Sequence, residues 1–347
     1  MSFVKNIFLF VSLFVGLRIT AQDIHFSQYN AAPLQLNPAF AGLNSCDYRI
    51  GLNARTQWNT ISNGNTYSTL GAATDFSIGK VTKYNSFAGM GLMLSSDIAG
   101  SLGLNSNRVD VSLAYHFMID KRGNQSLSAG LQFGVNHRGI NPDKATTDAQ
   151  YNPFTGKYDA SLPTNENFGR ANMIYLDASF GALYSINFSG QRNNIYLGVA
   201  AFHLNQPNIS FASSGLFNDK GSERLYIKTN IHGGGSFMLG AKTWIMPNFL
   251  VQLQGPSQQY NIGALVKLRA GNTISRTYIY AGLQYRVLDA LILQARVDYK
   301  GLGIGFSYDV NISKLTSSSF SYGGPELSIV YQGCMNKKPK PFFCPTM

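Results

Sequence analysis

The chain is poor in charge, in cysteine and in long apolar runs. Only 13% of its 347 residues are charged, against roughly 25% in an ordinary soluble domain. The three cysteines, Cys46, Cys334 and Cys344, are too few for a disulfide scaffold, and their spacing lacks the C-x-x-C pair of a zinc site. A single apolar run, Ile7 to Leu17, is too short at about eleven residues to cross a bilayer as a helix. Chemical signatures are missing too. His25, His137, His203 and His232 are scattered without metal-ligand spacing. His116 falls on a polar strand face near Asp110, with no particular serine set beside it by the sequence. Gly233-Gly234-Gly235 has neither the lysine nor the following helix of a phosphate loop. The expectation is therefore a protein without catalytic activity, cofactor or metal.

What is present is alternation. From Tyr278 to Ile312, Leu283, Tyr285 and Val287, then Leu291, Leu293, Ala295, Val297 and Tyr299, then Leu302, Ile304, Phe306, Tyr308 and Val310 alternate with glycine, polar or charged residues. Strand side chains point to opposite faces with period two, so each segment has one apolar and one wet face. In a soluble sandwich the apolar face needs a second sheet to cover it. A closed barrel with lipid outside and polar side chains inside satisfies both faces at once. The abundance of glycine (35), tyrosine (19) and phenylalanine (23) fits that solution. The expected fold is all-β, a transmembrane antiparallel barrel of about fourteen strands.

The amino terminus reads as a leader for export. Lys5 precedes the apolar run, and Ile19-Thr20-Ala21 ends it as a cleavage site, so residues 1–21 are expected to be a signal peptide. The formal charge of +11 falls to +9 when Lys5 and Arg18 leave with it. The basic residues are dispersed over turns and inward strand faces instead of one helix or ribbon, which argues against nucleic acid and for outer-membrane lipid or a charged lumen.

Residues 22–45 have neither helical nor strand period, two prolines (Pro33 and Pro38) and several large apolar residues. They are expected to form an ordered irregular arm on the periplasmic side, extended around its prolines. The barrel is expected over 46–332 and a periplasmic tail over 333–347. Trp58 falls where an interfacial aromatic girdle belongs. The aperiodic stretches 139–170 and 205–224 are loops too long for a compact domain without a task. Both follow odd-numbered strands, as outside loops must when the two termini are periplasmic. Closure makes the first and last strands neighbours, so Cys46 is expected near Cys334 or Cys344 in an oxidising compartment. Arg49, Arg55, Arg138, Lys267, Arg269, Arg286, Arg296 and Lys300 are expected in the lumen with Asp110, Asp177, Asp298 and Asp309, paired across it.

His25-Phe26-Ser27-Gln28-Tyr29, Leu36-Asn37-Pro38-Ala39-Phe40-Ala41-Gly42 and Arg55-Thr56-Gln57-Trp58, with Gly324 to Tyr331 at the close, resemble the PorP/SprF family of type IX secretion outer-membrane proteins. The resemblance covers essentially the whole chain after the leader. It implies a non-enzymatic barrel in the Gram-negative outer membrane that supports export or surface anchoring of a cargo such as an adhesin. The partners it implies are that cargo and the periplasmic ring components of the secretion and gliding machinery. The motif-bearing arm would then plug the lumen or dock to periplasmic partners. The competing expectation is a passive or substrate-specific pore.

Overall fold

The structure is a computed structural model and describes residues 23–57, 67–79, 86–120, 123–165, 170–188, 193–211, 223–271, 277–314, 316 and 320–335. The leader, Trp58, Cys344 and the last twelve residues lie outside that set.

Fourteen antiparallel strands close into a barrel. In chain order they are β1 (Tyr48–Thr56), β2 (Ser68–Ile78), β3 (Phe87–Ala99), β4 (Leu104–Met118), β5 (Gln125–Gly139), β6 (Asn172–Phe188) and β7 (Asn193–Phe202). The second half comprises β8 (Lys228–Gly240), β9 (Thr243–Gln254), β10 (Ser257–Ala270), β11 (Thr277–Arg286), β12 (Ala290–Tyr299), β13 (Leu302–Asn311) and β14 (Tyr322–Gly333). Each strand pairs with its chain neighbours, and β1 closes on β14 from Tyr48 opposite Gly333 to Arg55 opposite Glu326. Closure leaves no edge, so each backbone group in the wall has a neighbouring strand to bond, the condition for a sheet in hydrocarbon.

The alternation in the sequence maps onto the wall. In β4, Val109, Val111, Leu113, Tyr115 and Phe117 face outward and exposed, while Asp110, Ser112, Ala114 and His116 face inward and buried. Similar exposed apolar rows run along β5, β11, β12 and β13. They form the surface that hydrocarbon covers.

The connections differ between the two ends. One end has the long stretches after β5 and β7, the first with its own small hairpin of Tyr151–Asn152 and Lys157–Tyr158. The other end has short turns such as those between β8 and β9 and between β12 and β13. These are called here the long-loop end and the short-turn end.

Of the two placements open to the arm, lumen or periplasmic dock, the structure shows the lumen: Asp23 to Asn44 run through it, from the long-loop end down to the start of β1. One expectation is corrected, for the arm is less extended than its prolines suggest. Short helical turns occupy Tyr29–Ala31, Pro33–Leu36 and Pro38–Phe40, and both prolines stand at the first position of a turn. There the missing N–H leaves no bond unmade and the fixed φ suits the helix. Burial explains the location. Leu34, Ala39, Phe40, Ala41 and Leu43 have no exposed surface, and each large apolar group buried contributes about 1.5–3 kcal/mol.

Candidate functional site

The polar groups of the arm are held by side chains from around the barrel wall. At the long-loop end the Asp23 carboxylate lies 2.6 Å from His203 Nε2, 3.6 Å from Lys228 Nζ and 3.8 Å from an Arg108 nitrogen. His203 Nδ1 in turn lies 2.8 Å from Asp177, and Arg108 reaches Asp177 at 3.4 Å and Asp110 at 3.5 Å. Burial alone would push the Asp23 carboxyl upward, but His203, Lys228 and Arg108 hold it well below the usual carboxylate range. For the His203 imidazole burial works downward, yet Asp23 and Asp177 win and raise it.

Below this cluster, Glu326 grips the backbone. Its two carboxylate oxygens accept the N–H groups of Ser27 at 2.7 Å and Gln28 at 2.9 Å. The Gln28 amide donates to the Glu326 carbonyl at 3.0 Å and accepts from the Ser328 hydroxyl at 2.7 Å. The Ser27 hydroxyl donates to Asp309 at 2.7 Å, and that carboxylate also takes Arg55 at 2.9 Å and Arg286 at 3.2 Å. Arg55 donates a second bond to the His25 carbonyl at 2.6 Å. Phe26 lies against Gly71, where a side chain would meet its ring.

Midway down, Tyr29 donates to Asn248 at 2.6 Å. The fully buried Asn37 caps the last helical turn through Ala39 N–H at 2.8 Å. Its amide donates to the carbonyls of Ala182 (3.0 Å) and Val199 (3.2 Å), and lies 3.1 Å from His232 Nε2. Tyr29, Leu36, Ala39, Phe40 and Leu43 pack with Phe87, Leu183, Tyr196 and Leu250 into an apolar core inside the barrel. Pro38 and Ala39 approach the wall so closely that a Cβ on Gly130 would lie 2.5 Å from Ala39 N. Near the short-turn end, Gly42 N–H donates to Asp75 at 2.9 Å, and Asp75 pairs with Arg49 at 2.8 Å. Gly42 turns there with φ of +71°, a conformation that favours glycine. His116 Nε2 lies 2.8 Å from the Ala41 carbonyl and its other nitrogen 2.7 Å from Ser128 Oγ. A serine does meet His116, but both ring nitrogens are engaged and the residue is fully buried, so the pair secures the arm.

The motif residues His25, Phe26, Ser27, Gln28, Tyr29, Leu36, Asn37, Pro38, Ala39, Phe40 and Gly42 are thus gathered in the lumen. The inward charges Arg49, Arg55, Asp110, Asp177, Arg286 and Asp309 serve as their partners or belong to the same networks. Arg296 and Asp298 also face inward and pair with each other at 2.6 Å, away from the arm's polar anchors. Lys300 departs from expectation. It sits exposed at the β12–β13 corner with its ammonium over the Tyr299 ring at 5.0 Å, because the inward alternation of β12 ends at Asp298. Of the two partners open to Cys46, Cys334 forms the disulfide, with Cα atoms 4.6 Å apart, and joins the first strand to the last. The pairing reading for Cys344 lies outside the described residues.

Asp23, Asp75, Arg108, His203, Lys228 and Glu326 were missed as anchors. For Asp75, Arg108 and Glu326 the signal was parity: Asp75 and Glu326 are lone charges on the inward alternation of β2 and β14, and Arg108 shares that of β4 with Asp110. The chain positions of Asp23, His203 and Lys228, at strand ends or beyond, carry no such signal.

Charge is divided unevenly between the ends. The six connections at the short-turn end hold Lys80, Lys83, Lys121, Arg122, Arg192, Lys242, Arg276 and Lys300 against Asp120 alone, and every one of them has a basic surplus. At the long-loop end six basic residues face seven acidic ones.

Among solved structures, the chain resembles the toluene transporter TbuX of Ralstonia pickettii, with a TM-score of 0.52, 12% identity, and 88% of this chain and 94% of that one covered. A FadL homologue of Pseudomonas aeruginosa gives 0.46 at 9% identity over 85% and 92% of the two chains. BamA of Haemophilus ducreyi lacking POTRA domains 1–3 gives 0.41 at 12% over 83% and 70%. At these identities the TbuX likeness speaks for the barrel fold alone. No curated protein matches. The family described as type IX secretion system membrane protein PorP/SprF matches residues 19–331. With its arm motif, fourteen-strand barrel and that match, the chain belongs to the PorP/SprF family of type IX secretion system membrane proteins.

Proposed function

We propose that the protein is a non-catalytic outer-membrane component of the type IX secretion machinery, supporting export or surface anchoring of a cargo protein such as an adhesin. In this reading the leader directs export, the short-turn end faces the periplasm and the long loops stand outside, as in other outer-membrane barrels. The observation that carries it is the arm. A segment packed through the lumen and anchored by buried charge at several levels suits a rigid docking body better than an open conduit. The long loops then offer cargo a surface outside, and the basic short-turn end offers one to the periplasmic ring of the secretion and gliding apparatus.

The competing reading, a passive or substrate-specific pore, requires the arm to leave. Single-channel recording of the purified barrel separates the two: the docking reading expects a closed barrel, and a large steady conductance would overturn it. Affinity capture of the intact envelope complex is the positive test. Co-purifying secretion components or an adhesin are expected, and recovery of lipid alone would count against the proposal.

A further inference from the structure

The inward face of β9–β12 at the short-turn end carries a group of charges and rings that, among the described residues, makes no hydrogen bond or ion pair to the arm. Lys267 Nζ stands 4.4 Å from the centre of the Tyr278 ring, 5.4 Å from Tyr280 and 5.7 Å from Trp244. Arg269 lies over Trp244 at 5.2 Å and over Tyr278 at 5.9 Å, and Arg296 over Tyr280 at 5.5 Å. Aromatic faces orient cations without neutralising them. Asp298 is held by Arg296 at 2.6 Å, and among the described residues no carboxylate lies within ion-pair distance of Lys267 or Arg269. Lys267, Arg269, Trp244 and Tyr278 are only partly buried, so the two inward charges at the short-turn end are not sealed from solvent.

The surroundings reinforce this potential. Lys242 and Lys300 add exposed positive charge in two of the short connections at this end, and low-dielectric walls focus such a field into a cleft. Lipid is a poor occupant, because Ile245, Val266, Leu268 and Ile279 supply the outward face of these strands while Lys267 and Arg269 point away from it. The chain's own tail is a poor one too, since Lys337, Lys338 and Lys340 make it basic.

We infer that this group is a socket for an extended acidic segment of a partner protein entering from the short-turn end. Lys267 and Arg269 are two residues apart on one strand, about 6.6 Å along it. Acidic residues two apart in an extended peptide repeat at the same distance, so the segment would carry Asp or Glu at alternate positions. Trp244 and Tyr278 would flank its backbone. The inference rests on the proposed function only for the compartment from which the partner comes.

Trp58 and Trp244 are the two tryptophans of the chain, so Trp58→Phe leaves a reporter in the socket. The full chain, in nanodiscs of neutral phosphatidylcholine, is titrated with the peptide Gly-Glu-Gly-Glu-Gly-Glu-Gly and with its lysine counterpart. Saturable change in Trp244 emission is expected with the glutamate peptide alone, weakening as salt rises. Lys267→Gln with Arg269→Gln should weaken binding at least tenfold, and Lys267→Glu with Arg269→Glu should transfer the preference to the lysine peptide. No response, equal response to both peptides, or glutamate binding unchanged by the double substitutions would overturn the inference. So would loss of peptide binding in phosphatidylglycerol nanodiscs, which would assign the basic end to lipid. Envelope capture keeps the two proposals apart: if the Gln double variant captures secretion components like wild type, the socket fails and the machinery reading stands. If wild type binds the peptide but captures no such component, the reverse holds.

Discussion

The backbone N–H of Ser27 donates to a carboxylate oxygen of Glu326 at 2.7 Å, across 299 residues of sequence. The first described segment of the chain is thereby fastened to its last strand, inside a barrel that the same strand closes. Because the other Glu326 oxygen takes the Gln28 N–H at 2.9 Å, the carboxylate satisfies two consecutive buried donors that have no strand or helix partner.

Removing that carboxylate should therefore cost more than one ordinary hydrogen bond. A hydrogen bond to a charged group contributes about 1.5–3 kcal/mol, and a stranded buried donor costs about 1–3 kcal/mol. Glu326→Ala is expected to lower stability by about 3 kcal/mol and Glu326→Gln by less, since one oxygen remains to accept. The check is the temperature at which the folded, fast-migrating form converts to the unfolded one on detergent gels. Equal behaviour of wild type and Glu326→Ala would contradict the grip.

The Cys46–Cys334 bond closes the seam where β1 meets β14. Non-reducing peptide mapping should recover these two residues joined and Cys344 as a free thiol. A disulfide typically contributes about 2–4 kcal/mol by restricting the unfolded chain. Reduction should thus shift the gel transition down by several degrees and leave the barrel closed, because the β1–β14 ladder persists. A pair involving Cys344 would refute the assignment.

The barrel was legible because lipid and water impose opposite demands on alternate residues, and a shift of one residue swaps the faces of a whole strand. Thus Val109 to Phe117 and Leu291 to Tyr299 announced both their faces and their class. The lumenal charges were legible for the same reason: Arg49, Arg55 and Asp309 could only point inward. The arm was not. Nothing in its sequence has a period, and its burial depends on side chains up to 300 residues away, such as Ser328 with Gln28. Its prolines suggested extended backbone, yet Pro33 and Pro38 start turns, since a first-turn position is the other place where proline costs nothing. The Asp23 cluster was illegible because His203 and Lys228 lie at the ends of strands, where alternation says little.

That cluster predicts a pH window for the arm's anchorage at the long-loop end. The Asp23 carboxyl is held below its ordinary range, so its contribution is present above the unfolded value of about 3.9 and lost as pH falls through the folded one. His203 is raised, so its contribution is complete below about 6.5 and lost as pH rises through the folded value. Lys228, Arg108, Asp110 and Asp177 face the pair. A nitroxide at residue 24, placed by Ile24→Cys with Cys344→Ser, should be least mobile between about pH 4 and 6.5. Its mobility should rise on the alkaline side, and His203→Gln should flatten that rise. An alkaline limb unaltered by His203→Gln would show that another group anchors the terminus.

The backbone of the arm comes close to the wall at two glycines, Gly89 and Gly130. A Cβ on Gly89 would overlap the Ala41 carbonyl, and one on Gly130 would lie 2.5 Å from both Ala39 N and the Pro38 carbonyl carbon. Valine at either position suits the strand itself, because β-branched residues fit a pleated wall, so the clash falls on the arm. Gly89→Val with Gly130→Val is expected to leave a barrel that still shifts on heating while displacing the arm. Displacement should convert a closed barrel into one with discrete conductance steps. Gly240, beside which a Cβ meets nothing within 4 Å, supplies the control: Gly240→Val should remain closed. If the double variant folds, stays closed and keeps a spin label on the arm immobile, the arm is not what blocks the lumen.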